Sequence, residues 1–407
     1  MEHKNIVILG GSYGGISTAH YLLRHVLPTL PSPESYQIVL VSTSSQTMCR
    51  PACPRAMISD DMFPQDRLFV NIAPLFEQYP KGRFRFVQGT AIKLDHSNRA
   101  VDIQSNGDTQ KIDFHAIVIA TGSSTTSPLM GFDRDESFLR EQWTALRAAL
   151  PTAKSIVVAG GGPTGIEIAG ELGEHFNGRS GCHNSNPKVP ITLVTSSSQI
   201  LPVLRPAIAK KAEKFLADVG VTVKTNTRVQ TVSPPDAGMA IVDSKATLTL
   251  DDGSILTPDI YIPATGISPN SGFLDAALLA RDGRVQTDHT CRVDQAGPRV
   301  YAVGDVASNV QANSVIAIFS CIPVLCANVK RDLLLAEGKE GSAAGSDRVF
   351  TEDTRTSQIV PIGRSKGVGE VMGWQIPSFL VWLAKGRDYW LWTTADVWNG
   401  NKWAKAS

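Results

Sequence analysis

The sequence predicts an α/β fold made of two similar units in tandem, each with a parallel sheet, followed by a small C-terminal α+β domain. The segments NIVILGGSYGGISTA (Asn5 to Ala19) and VVAGGGPTGIEIAGEL (Val157 to Leu172) both have the pattern of a strand, a glycine turn and a helix. The same order of elements follows each segment, and a buried strand ends in Ala-Thr-Gly at residues 120–122 and again at 264–266. This internal repeat indicates duplication of a fold, which a chance match to a glycine motif would not produce.

Length and composition indicate a globular protein of two or three domains. The chain has 407 residues, 42% hydrophobic and 19% charged, and 39 basic and 38 acidic side chains give a net charge of +1. No basic stripe stands out, so we expect no nucleic-acid partner. Six cysteines in a chain of this length do not resemble a disulfide framework. Since the first strand begins near residue 5 and no apolar run approaches the ~20 residues that span a bilayer, we expect a cytoplasmic protein without a signal peptide.

The first unit is expected to begin with a strand buried on both faces, because Ile6 to Leu9 is a continuous apolar run. Its other predicted elements are a glycine turn over 10–15, a helix over 16–23, a strand over 37–41, an antiparallel meander over 83–112 and a buried strand over 117–122.

The second unit repeats this order from about residue 155. Its predicted elements are a glycine turn over 160–165 with its helix, a strand over 191–197, a helix over 207–220, and strands over 221–224 and 259–266. Further along, the sequence predicts a buried strand within 299–308, with an acid just beyond it, and a helix over 314–335 interrupted by Pro323. We assign residues 1–124 and 267–336 to the first domain, 125–266 to the second and 347–407 to the C-terminal domain.

The glycine turns point to nucleotide binding. A glycine turn that opens a helix presents backbone N–H groups and the positive end of the helix dipole, and a pyrophosphate fits there when side chains leave room. Gly160, Gly162 and Gly165 complete the GxGxxG fingerprint, whereas the first turn has Ser12 in the middle position. Two such turns in matching contexts predict two dinucleotides: one turn holds a flavin dinucleotide, and the other receives a nicotinamide dinucleotide that reduces it.

The ends of the second strands bear on the choice of nicotinamide nucleotide. An Asp or Glu usually holds the ribose hydroxyls there. The first unit offers Ser42 and the second offers Thr195 and Ser196, none of which is acidic. A 2′-phosphate is therefore not repelled, and we expect NADPH rather than NADH, although a third glycine at 165 is common in NADH enzymes. Arg205, Lys210 and Lys211 are candidates to reach the phosphate.

The chain resembles the two-dinucleotide flavoprotein reductases, and within them the apoptosis-inducing-factor-like and ferroptosis-suppressor quinone reductases with their fungal relatives. The resemblance rests on VILGGSYGG, ATGSS, GGGPTGIEIAGEL, ATGISPN, YAVGDVA and the tail IGRSKGVGEVMGWQIPSFLVWLAKGRDYW. It implies a glutathione-reductase-like arrangement with FAD in the first unit and NAD(P)H in the second. It also implies that residues 10–14 line the FAD pyrophosphate, that Arg55 touches FAD, that the Ala91 backbone meets the adenine end and that Asp305 bonds the ribityl or phosphate region.

The predicted cofactor-binding residues lie in both units. They are Gly10, Gly11, Ser12, Tyr13, Gly14, Gly15, Ser42, Arg50, Arg55, Ala91, Ala120, Thr121, Gly122, Gly160, Gly162, Pro163, Thr164, Gly165, Glu167, Ser196, Gly266 and Asp305.

Glu167 is the one candidate catalytic residue. Related reductases keep a glutamate near the flavin and nicotinamide two positions after the third glycine, and Arg50 or Arg55 could pair with it. The alternative is an ordinary acid in the first turn of a helix, stabilised by the helix dipole.

The cysteines offer an alternative chemistry. Disulfide reductases carry CxxxxC after the second strand of the FAD unit, whereas this chain has Cys49 and Cys53 one residue too close. Cys321 and Cys326 have the right spacing in the wrong place, about 140° apart around a helix. We favour packing roles for all of them, with Cys49 and Cys53 as the more credible redox pair.

No metal site is predicted. His175, Cys182 and His183 lie in a polar segment whose spacing matches no zinc module, and we interpret it as an exposed loop.

The tail contains six of the seven tryptophans, at positions 374, 382, 390, 392, 398 and 403. Tryptophan beside Lys385 and Arg387 suits weak peripheral contact with a membrane. The alternative, which we favour for most of these rings, is packing against the FAD domain or in a homodimer contact.

The predicted function is an FAD-dependent NAD(P)H oxidoreductase that passes a hydride from nicotinamide to flavin and then electrons to a quinone-like acceptor. One alternative is a flavoprotein that acts on a soluble metabolite such as a sugar, a polyol or a secondary-metabolism intermediate. Another is a nucleotide-sensing flavoprotein with an interaction role.

Overall fold

The computed structural model describes residues 3–310 and 314–406. In chain order the strands are β1 Lys4–Leu9, β2 Tyr36–Ser42, β3 Gln46–Met48, β4 Phe69–Asn71, β5 Phe84–Gln88, β6 Thr90–Asp95, β7 Ala100–Ser105, β8 Asp108–Asp113, β9 Ala116–Ile119, β10 Ser123–Thr125, β11 Ile156–Ala159, β12 Ile191–Val194, β13 Val221–Lys224, β14 Val229–Ser233, β15 Thr247–Leu250, β16 Ile255–Leu256, β17 Ile260–Pro263, β18 Ile267–Pro269, β19 Val300–Ala302, β20 Gln358–Ile362, β21 Lys366–Val371 and β22 Trp374–Gln375.

The α-helices are α1 Tyr13–Tyr21, α2 Cys53–Ala56, α3 Gln65–Leu68, α4 Glu136–Ala149, α5 Pro163–Asn177, α6 Pro206–Ala217, α7 Val315–Ala336, α8 Gly341–Ala344, α9 Ser378–Val381 and α10 Leu391–Trp398. Single π-turns extend α1 and α9 over Leu22–Val26 and Trp382–Gly386.

The first sheet is parallel and has the strand order β19-β9-β1-β2-β5. Its central strand β1 pairs with β2 and β9 and is buried from Ile6 to Leu9, as the apolar run requires. The edge strand comes from Val300–Ala302, so the chain returns to this sheet after completing the second one. This return places Asp305 beside the Ala-Thr-Gly segment that follows β9.

The predicted meander over 83–112 needs a correction. Phe84–Gln88 does not belong to it, because β5 pairs in parallel with β2 at the edge of the first sheet. The antiparallel meander consists of β6, β7 and β8. An edge strand of a parallel sheet is only half-covered, so β5 shows the alternating pattern that usually indicates an antiparallel strand.

The second sheet repeats the first at its centre. It is parallel, with the order β13-β12-β11-β17, and β12-β11-β17 correspond to β2-β1-β9. An antiparallel sheet of β14, β15 and β16 follows, as the repeat predicts. The mixed α/β fold with two Rossmann-like sheets is thereby confirmed.

Residues 358–403 form a three-stranded antiparallel sheet, β20-β21-β22, with short helices around it. Strand β20 packs directly on α5, since a Cβ at Gly170 would approach the backbones of Ile362 and Gly363 to within 3.0 Å. Helix α10 packs on α1 and buries Trp398. This segment therefore contacts both Rossmann-like units.

Two predicted elements differ from the structure. Helix α7 runs without interruption through Pro323, because the helix face that carries Cys321, Ile322 and Leu325 is buried in the core and its packing outweighs the lost hydrogen bond. His175 lies in the last turn of α5 and not in a loop.

Candidate functional site

The two glycine turns have the same geometry. Gly10 and Gly160 have φ angles of +122° and +132°, and a Cβ at either would collide with the carbonyl oxygen of Ala120 or Ala264 respectively. Each of those alanines begins an Ala-Thr-Gly segment, which explains why the motif accompanies both turns. Only glycine fits where the turn passes so close to the neighbouring strand.

The third glycine of each turn lies against the first. A Cβ at Gly15 would collide with the carbonyl of Gly10, and a Cβ at Gly165 would collide with that of Gly160. The helices α1 and α5 can therefore begin close to their strands. At the middle position of the second turn, a Cβ on Gly162 would meet nothing within 4 Å. Space is thus open beside the turn, at the N-terminus of a 15-residue helix, where a pyrophosphate is stabilised.

The end of each second strand packs on its turn. A Cβ at Gly11 would collide with the hydroxyl of Ser42, and a Cβ at Gly161 would lie 2.5 Å from Oγ1 of Thr195. Thr195, and not the predicted Ser196, is therefore the structural counterpart of Ser42. Ser196 follows it and is exposed. Neither strand end carries an acid, as the sequence indicates.

The Ala-Thr-Gly segment of the first unit lies beside the predicted acid. The hydroxyl of Ser123, which follows Gly122, donates to Oδ2 of Asp305 at 2.9 Å. Thr121 and Asn270 exchange two hydrogen bonds, at 2.7 Å from Oγ1 of Thr121 and 2.9 Å from Nδ2 of Asn270. Gly122 has a left-handed φ of +67°, and its counterpart Gly266 has +70°. The structure thus brings Asp305 to the carboxyl end of β9, next to the first turn.

Other predicted cofactor-binding residues lie near the end of β2 or in the first turns of the two helices that follow the glycine turns. Ala91 lies two residues after Gly89, whose N–H donates to the carbonyl of Ser42 at 2.8 Å, so Ala91 is close to the end of β2. The side chains of Tyr13, Pro163 and Thr164 belong to the first turns of α1 and α5.

A buried cluster of charges lies between the two units and the C-terminal segment; we define it as Arg55, Glu167, Glu171, Lys385 and Tyr389. Arg55 of α2 forms a bidentate pair with Glu171 of α5, at 2.9 Å and 2.8 Å. Lys385 donates to Oε1 of Glu167 at 2.5 Å, and the Tyr389 hydroxyl donates to Oε1 of Glu171 at 2.9 Å. All four charged side chains are at most 8% exposed. The cluster therefore ties three parts of the chain together through buried charges.

Burial raises the pKa of Glu167 to about 7, and the neighbouring Lys385 ammonium limits this rise. The carboxyl group of Glu167 thus changes its protonation near neutral pH. Burial also raises the pKa of Tyr389 well above its ordinary value, so this hydroxyl keeps its proton and donates it in a hydrogen bond.

One prediction about these charges is wrong. The partner of Glu167 is Lys385, and neither Arg50 nor Arg55. The Arg55 guanidinium donates to Glu171 and to the carbonyls of residues 363, 386 and 387, and its predicted contact with FAD stays a prediction. Arg50 donates from Nε to the carbonyl of Met130 at 2.9 Å.

Sequence reasoning missed Glu171, Lys385 and Tyr389. Glu171 is four residues after Glu167 and so lies on the same face of α5, in a helix whose surrounding residues are apolar and buried. That spacing was a readable signal for a second buried carboxylate. Lys385 and Tyr389 have the same i, i+4 spacing in the tail, but which cation meets which acid depends on packing between distant segments.

The six cysteines form no disulfide, and five of them are buried. Burial raises the pKa of Cys49 to about 11 and that of Cys53 to about 12. The reactive form of cysteine is the thiolate, so both groups are poor nucleophiles here. Cys182 and the neighbouring His183 are exposed, and no group of three or more metal-ligating side chains occurs in residues 3–310 and 314–406.

Comparison with known proteins identifies the family. The sequence profile of the pyridine nucleotide-disulphide oxidoreductases matches residues 4–320. The chain belongs to this family. Oxidoreductase phnG of Penicillium herquei is 59% identical over 99% of this chain and 98% of its own length. Ferroptosis suppressor protein 1 of Xenopus tropicalis is 25% identical over 95% of this chain and 94% of its own length.

Solved structures agree with the fold of this pyridine nucleotide-disulphide oxidoreductase. The sulfide:quinone oxidoreductase of Aquifex aeolicus superimposes with a TM-score of 0.71, at 18% identity, over 98% of this chain and 92% of that one. At this identity the likeness extends to the fold alone. The predicted resemblance to two-dinucleotide flavoprotein reductases, including apoptosis-inducing-factor-like and ferroptosis-suppressor proteins, is confirmed.

This member of the family is a flavin-dependent oxidoreductase that uses FAD and a nicotinamide dinucleotide. The residues present fit both groups, because each turn opens a helix with glycines that approach the neighbouring strand closely, and space is open beside Gly162 of the second turn.

Proposed function

We propose that the protein oxidises NADPH and reduces a quinone-like small molecule, with FAD held between the two half-reactions. The balanced reaction takes NADPH, a proton and a quinone to NADP⁺ and a hydroquinone. The observation that carries the proposal is the pair of matched glycine turns on two parallel sheets of one chain. One nucleotide needs one such turn, so the second indicates an exchange of electrons between two dinucleotides.

The acceptor is proposed to be quinone-like because the chain lacks the means to reduce a disulfide. Cys49 and Cys53 have the wrong spacing, are inaccessible and have raised pKa values of about 11 and about 12. FAD, when bound, would supply the redox chemistry that links oxidation of the two-electron donor to reduction of the acceptor. The chain supplies binding through the turns and orientation through Asp305, Ser123 and their neighbours.

Glu167 is the proposed acid–base residue. Its carboxyl group exchanges a proton near neutral pH because its pKa is about 7, and Lys385 Nζ fixes Oε1 by donating to it. Reduction of a quinone consumes protons, so a group with this pKa in a buried position can hold one where water is excluded.

NADPH is the proposed donor because neither Thr195 nor Ser196 can repel a 2′-phosphate. Of the basic candidates, Arg205 is engaged with Glu370 of the C-terminal sheet, with Nε 3.1 Å from Oε2. Lys210 and Lys211 on α6 remain, and Lys210 is exposed.

Anaerobic titration of the purified flavoprotein tests the function. The visible flavin band is expected to bleach on addition of NADPH, and faster than with NADH by up to about tenfold, since an exposed lysine such as Lys210 gains only a weak contact with the 2′-phosphate. A quinone is then expected to restore the band.

If neither nucleotide bleaches the flavin, the proposal fails and a substrate that reduces the flavin directly must be sought. If NADPH bleaches it but no quinone restores it, the acceptor is a different metabolite. Slow turnover with every acceptor, together with a nucleotide-dependent change in molecular size, would indicate a sensor instead.

The C-terminal segment also exposes a set of large apolar side chains, which we call the aromatic face. Its members are large hydrophobic side chains within 21 residues of each other: Met372, Trp374, Phe379, Leu380, Trp382, Leu383 and Trp392. Trp374 is 79% exposed and Phe379 65%. Trp398 and Trp403, in contrast, are buried against the first unit. The tail tryptophans thus divide into a packed group and an exposed group.

We propose that the aromatic face makes weak peripheral contact with a membrane. Within the described ranges no helix is long and apolar enough to cross a bilayer. Arg387 lies 5.6 Å from the centre of the Trp392 ring, and basic and aromatic side chains together suit the lipid interface.

Co-sedimentation with vesicles of phosphatidylcholine and phosphatidylserine tests this contact. The double variant Trp374→Ala/Phe379→Ser is expected to lower the bound fraction at least about tenfold, because two large apolar groups no longer enter the interface. Ile255→Ser is the matched control, because Ile255 is 62% exposed but lies in the second unit. Equal binding by both variants would contradict the proposal.

A further inference from the structure

Two adjacent aromatic residues have an unusual backbone where the C-terminal segment enters α10. Tyr389 and Trp390 have φ angles of +53° and +66°, in the left-handed region that bulky L-residues avoid. Trp390 is also the N-cap of α10 and makes no side-chain hydrogen bond to the helix, a position that normally holds Ser, Thr, Asn or Asp. Local preferences favour glycine or asparagine in such a turn. Two aromatic residues are retained here against those preferences, which indicates a role for their rings.

The turn brings both rings to the ammonium of Lys385. Nζ of Lys385 lies 5.5 Å from the centre of the Tyr389 ring and 4.9 Å from the centre of the Trp390 ring. The Tyr389 N–H donates to the carbonyl of Lys385 at 2.6 Å, and Sγ of Cys49 donates to the carbonyl of Tyr389 at 3.4 Å. The chain is thus held where both aromatic side chains face the lysine that precedes them.

The aromatic rings complete the surroundings of a buried ammonium. Lys385 is 6% exposed, and its Nζ donates to Oε1 of Glu167 and to the carbonyl of Ile359, the latter at 3.4 Å. A buried ammonium needs partners on every side, because its three N–H donors are strongly hydrated in water. The face of an aromatic ring carries negative electrostatic potential and attracts a cation. The two rings therefore take the place of water around this ammonium.

The two rings differ in exposure and in their other contacts. Tyr389 is fully buried, donates its hydroxyl to Glu171 and lies 4.8 Å from the Arg55 guanidinium, so it belongs to the whole charge cluster. Trp390 is only half-buried. Because the neighbouring Lys385 is buried, the Trp390 ring separates the ammonium from solvent.

The position of the ammonium matters because the protonation of Glu167 depends on it. Burial raises the pKa of Glu167 to about 7, and Lys385 opposes this rise more than any other group. The other charges that face Glu167 are on Glu171 and Arg55, which form a bidentate pair and act on its pKa in opposite directions. An electrostatic interaction in a water-excluded site depends strongly on distance. A displaced ammonium would therefore leave the pKa of Glu167 higher.

We propose that Trp390 is a positioning residue whose ring, together with that of Tyr389, holds the Lys385 ammonium against Glu167 and keeps water away from it. The left-handed turn is retained because it delivers the two rings to this place. The inference rests on the proposed function for the role of Glu167 in proton exchange, whereas the effect of Trp390 on the protonation of Glu167 does not depend on it.

The test compares Trp390→Leu, which keeps an apolar side chain but has no ring face, with Trp390→Phe, which keeps a ring. Protonation of Glu167 in the oxidised flavoprotein is followed through its carboxyl band by infrared difference spectroscopy as the pH is varied, and Glu167→Gln identifies the band. The midpoint in Trp390→Leu is expected to rise by about half a pH unit above that of the wild type, since a loosened ammonium opposes the effect of burial less. Trp390→Phe is expected to recover most of this shift.

The same two substitutions in the Lys385→Met background show whether Trp390 acts through the lysine. Trp390→Leu is expected to cause no further shift of the midpoint when the ammonium is absent. A shift of the same size in this background overturns the proposal. An unchanged midpoint in Trp390→Leu with Lys385 present overturns it as well, and so do equal shifts in Trp390→Leu and Trp390→Phe.

The rate of flavin bleaching by NADPH is recorded against pH for the same proteins, which separates this inference from the proposed function. If Glu167 exchanges a proton in the reaction, the midpoint of the rate profile moves together with the infrared midpoint. A shifted infrared midpoint in a protein that NADPH does not bleach supports the positioning role of Trp390 and rejects the proposed function.

Discussion

Gly15→Ala is expected to yield protein without bound flavin. The added Cβ would collide with the carbonyl of Gly10, which is backbone and cannot move aside as a flexible side chain can. Helix α1 would have to shift away from β1, and the space for the pyrophosphate would be lost. We expect a cost of about 3 kcal/mol or more in the free energy of unfolding, since backbone must be displaced in a packed region. The measurement is the ratio of flavin to protein absorbance, together with the unfolding free energy in urea.

The duplicated turn provides an internal comparison for this result. Gly165→Ala places its Cβ against the carbonyl of Gly160, in the other sheet. This variant is expected to retain flavin but to lose its bleaching by NADPH. Gly272→Ala is the matched control, because its Cβ would meet nothing within 4 Å and its backbone is not left-handed. Loss of flavin in Gly165→Ala with retention in Gly15→Ala would contradict the assignment of the two turns.

Lys385→Met is expected to destabilise the protein by about 3 kcal/mol at pH 8, because it leaves the buried Glu167 carboxylate without its cation. Glu167 is only 4% exposed, so water cannot replace the ammonium. The double variant Glu167→Gln/Lys385→Met removes both charges and is expected to recover most of the loss. A double-mutant cycle in urea measures the coupling between the two side chains. A loss that the double variant does not recover would show that Lys385 acts by packing alone.

The difference in the free energy of unfolding between Lys385→Met and the wild type depends on pH because of the pKa of Glu167. The folded-state pKa of about 7 lies above the ordinary value of 4.5, so the contribution of Glu167 to stability is fully present below about 4.5 and is lost as the pH rises through 7. At pH 5 the Glu167 carboxyl is protonated in both proteins, so Lys385→Met leaves no buried carboxylate without its cation. We therefore expect the gap between Lys385→Met and the wild type to be widest at pH 8 and to shrink towards pH 5. A gap that is constant between these values would contradict the raised pKa.

Local features were predictable because local sterics decide them. Strands β11 and β13 and the helix α5 lie where their apolar runs and glycines place them. The strand β5 was misassigned because half-burial at a sheet edge and an antiparallel hairpin give the same alternation. Helix α7 continues through Pro323 because tertiary packing outweighs a local rule.

The C-terminal tail also combines a feature that the sequence shows with one that only packing decides. Its high tryptophan content is evident in the sequence, but which tryptophans are exposed is not. Trp398 packs at 4.7 Å from Tyr13, whereas Trp374 projects from the short strand β22 and remains 79% exposed. Composition cannot separate the two, because burial depends on which distant segment covers each ring.

The sequence by itself determined the two Rossmann-like units, the positions of both glycine turns and the kinds of cofactor, because close backbone approach admits only glycine and leaves a recognisable spacing. The tertiary structure alone decided that Lys385 and not an arginine pairs with Glu167, and that Arg55 belongs to Glu171. Glu167 and Lys385 are 218 residues apart in the chain. Contacts over such separations depend on how whole elements pack, and no local pattern of residues encodes them.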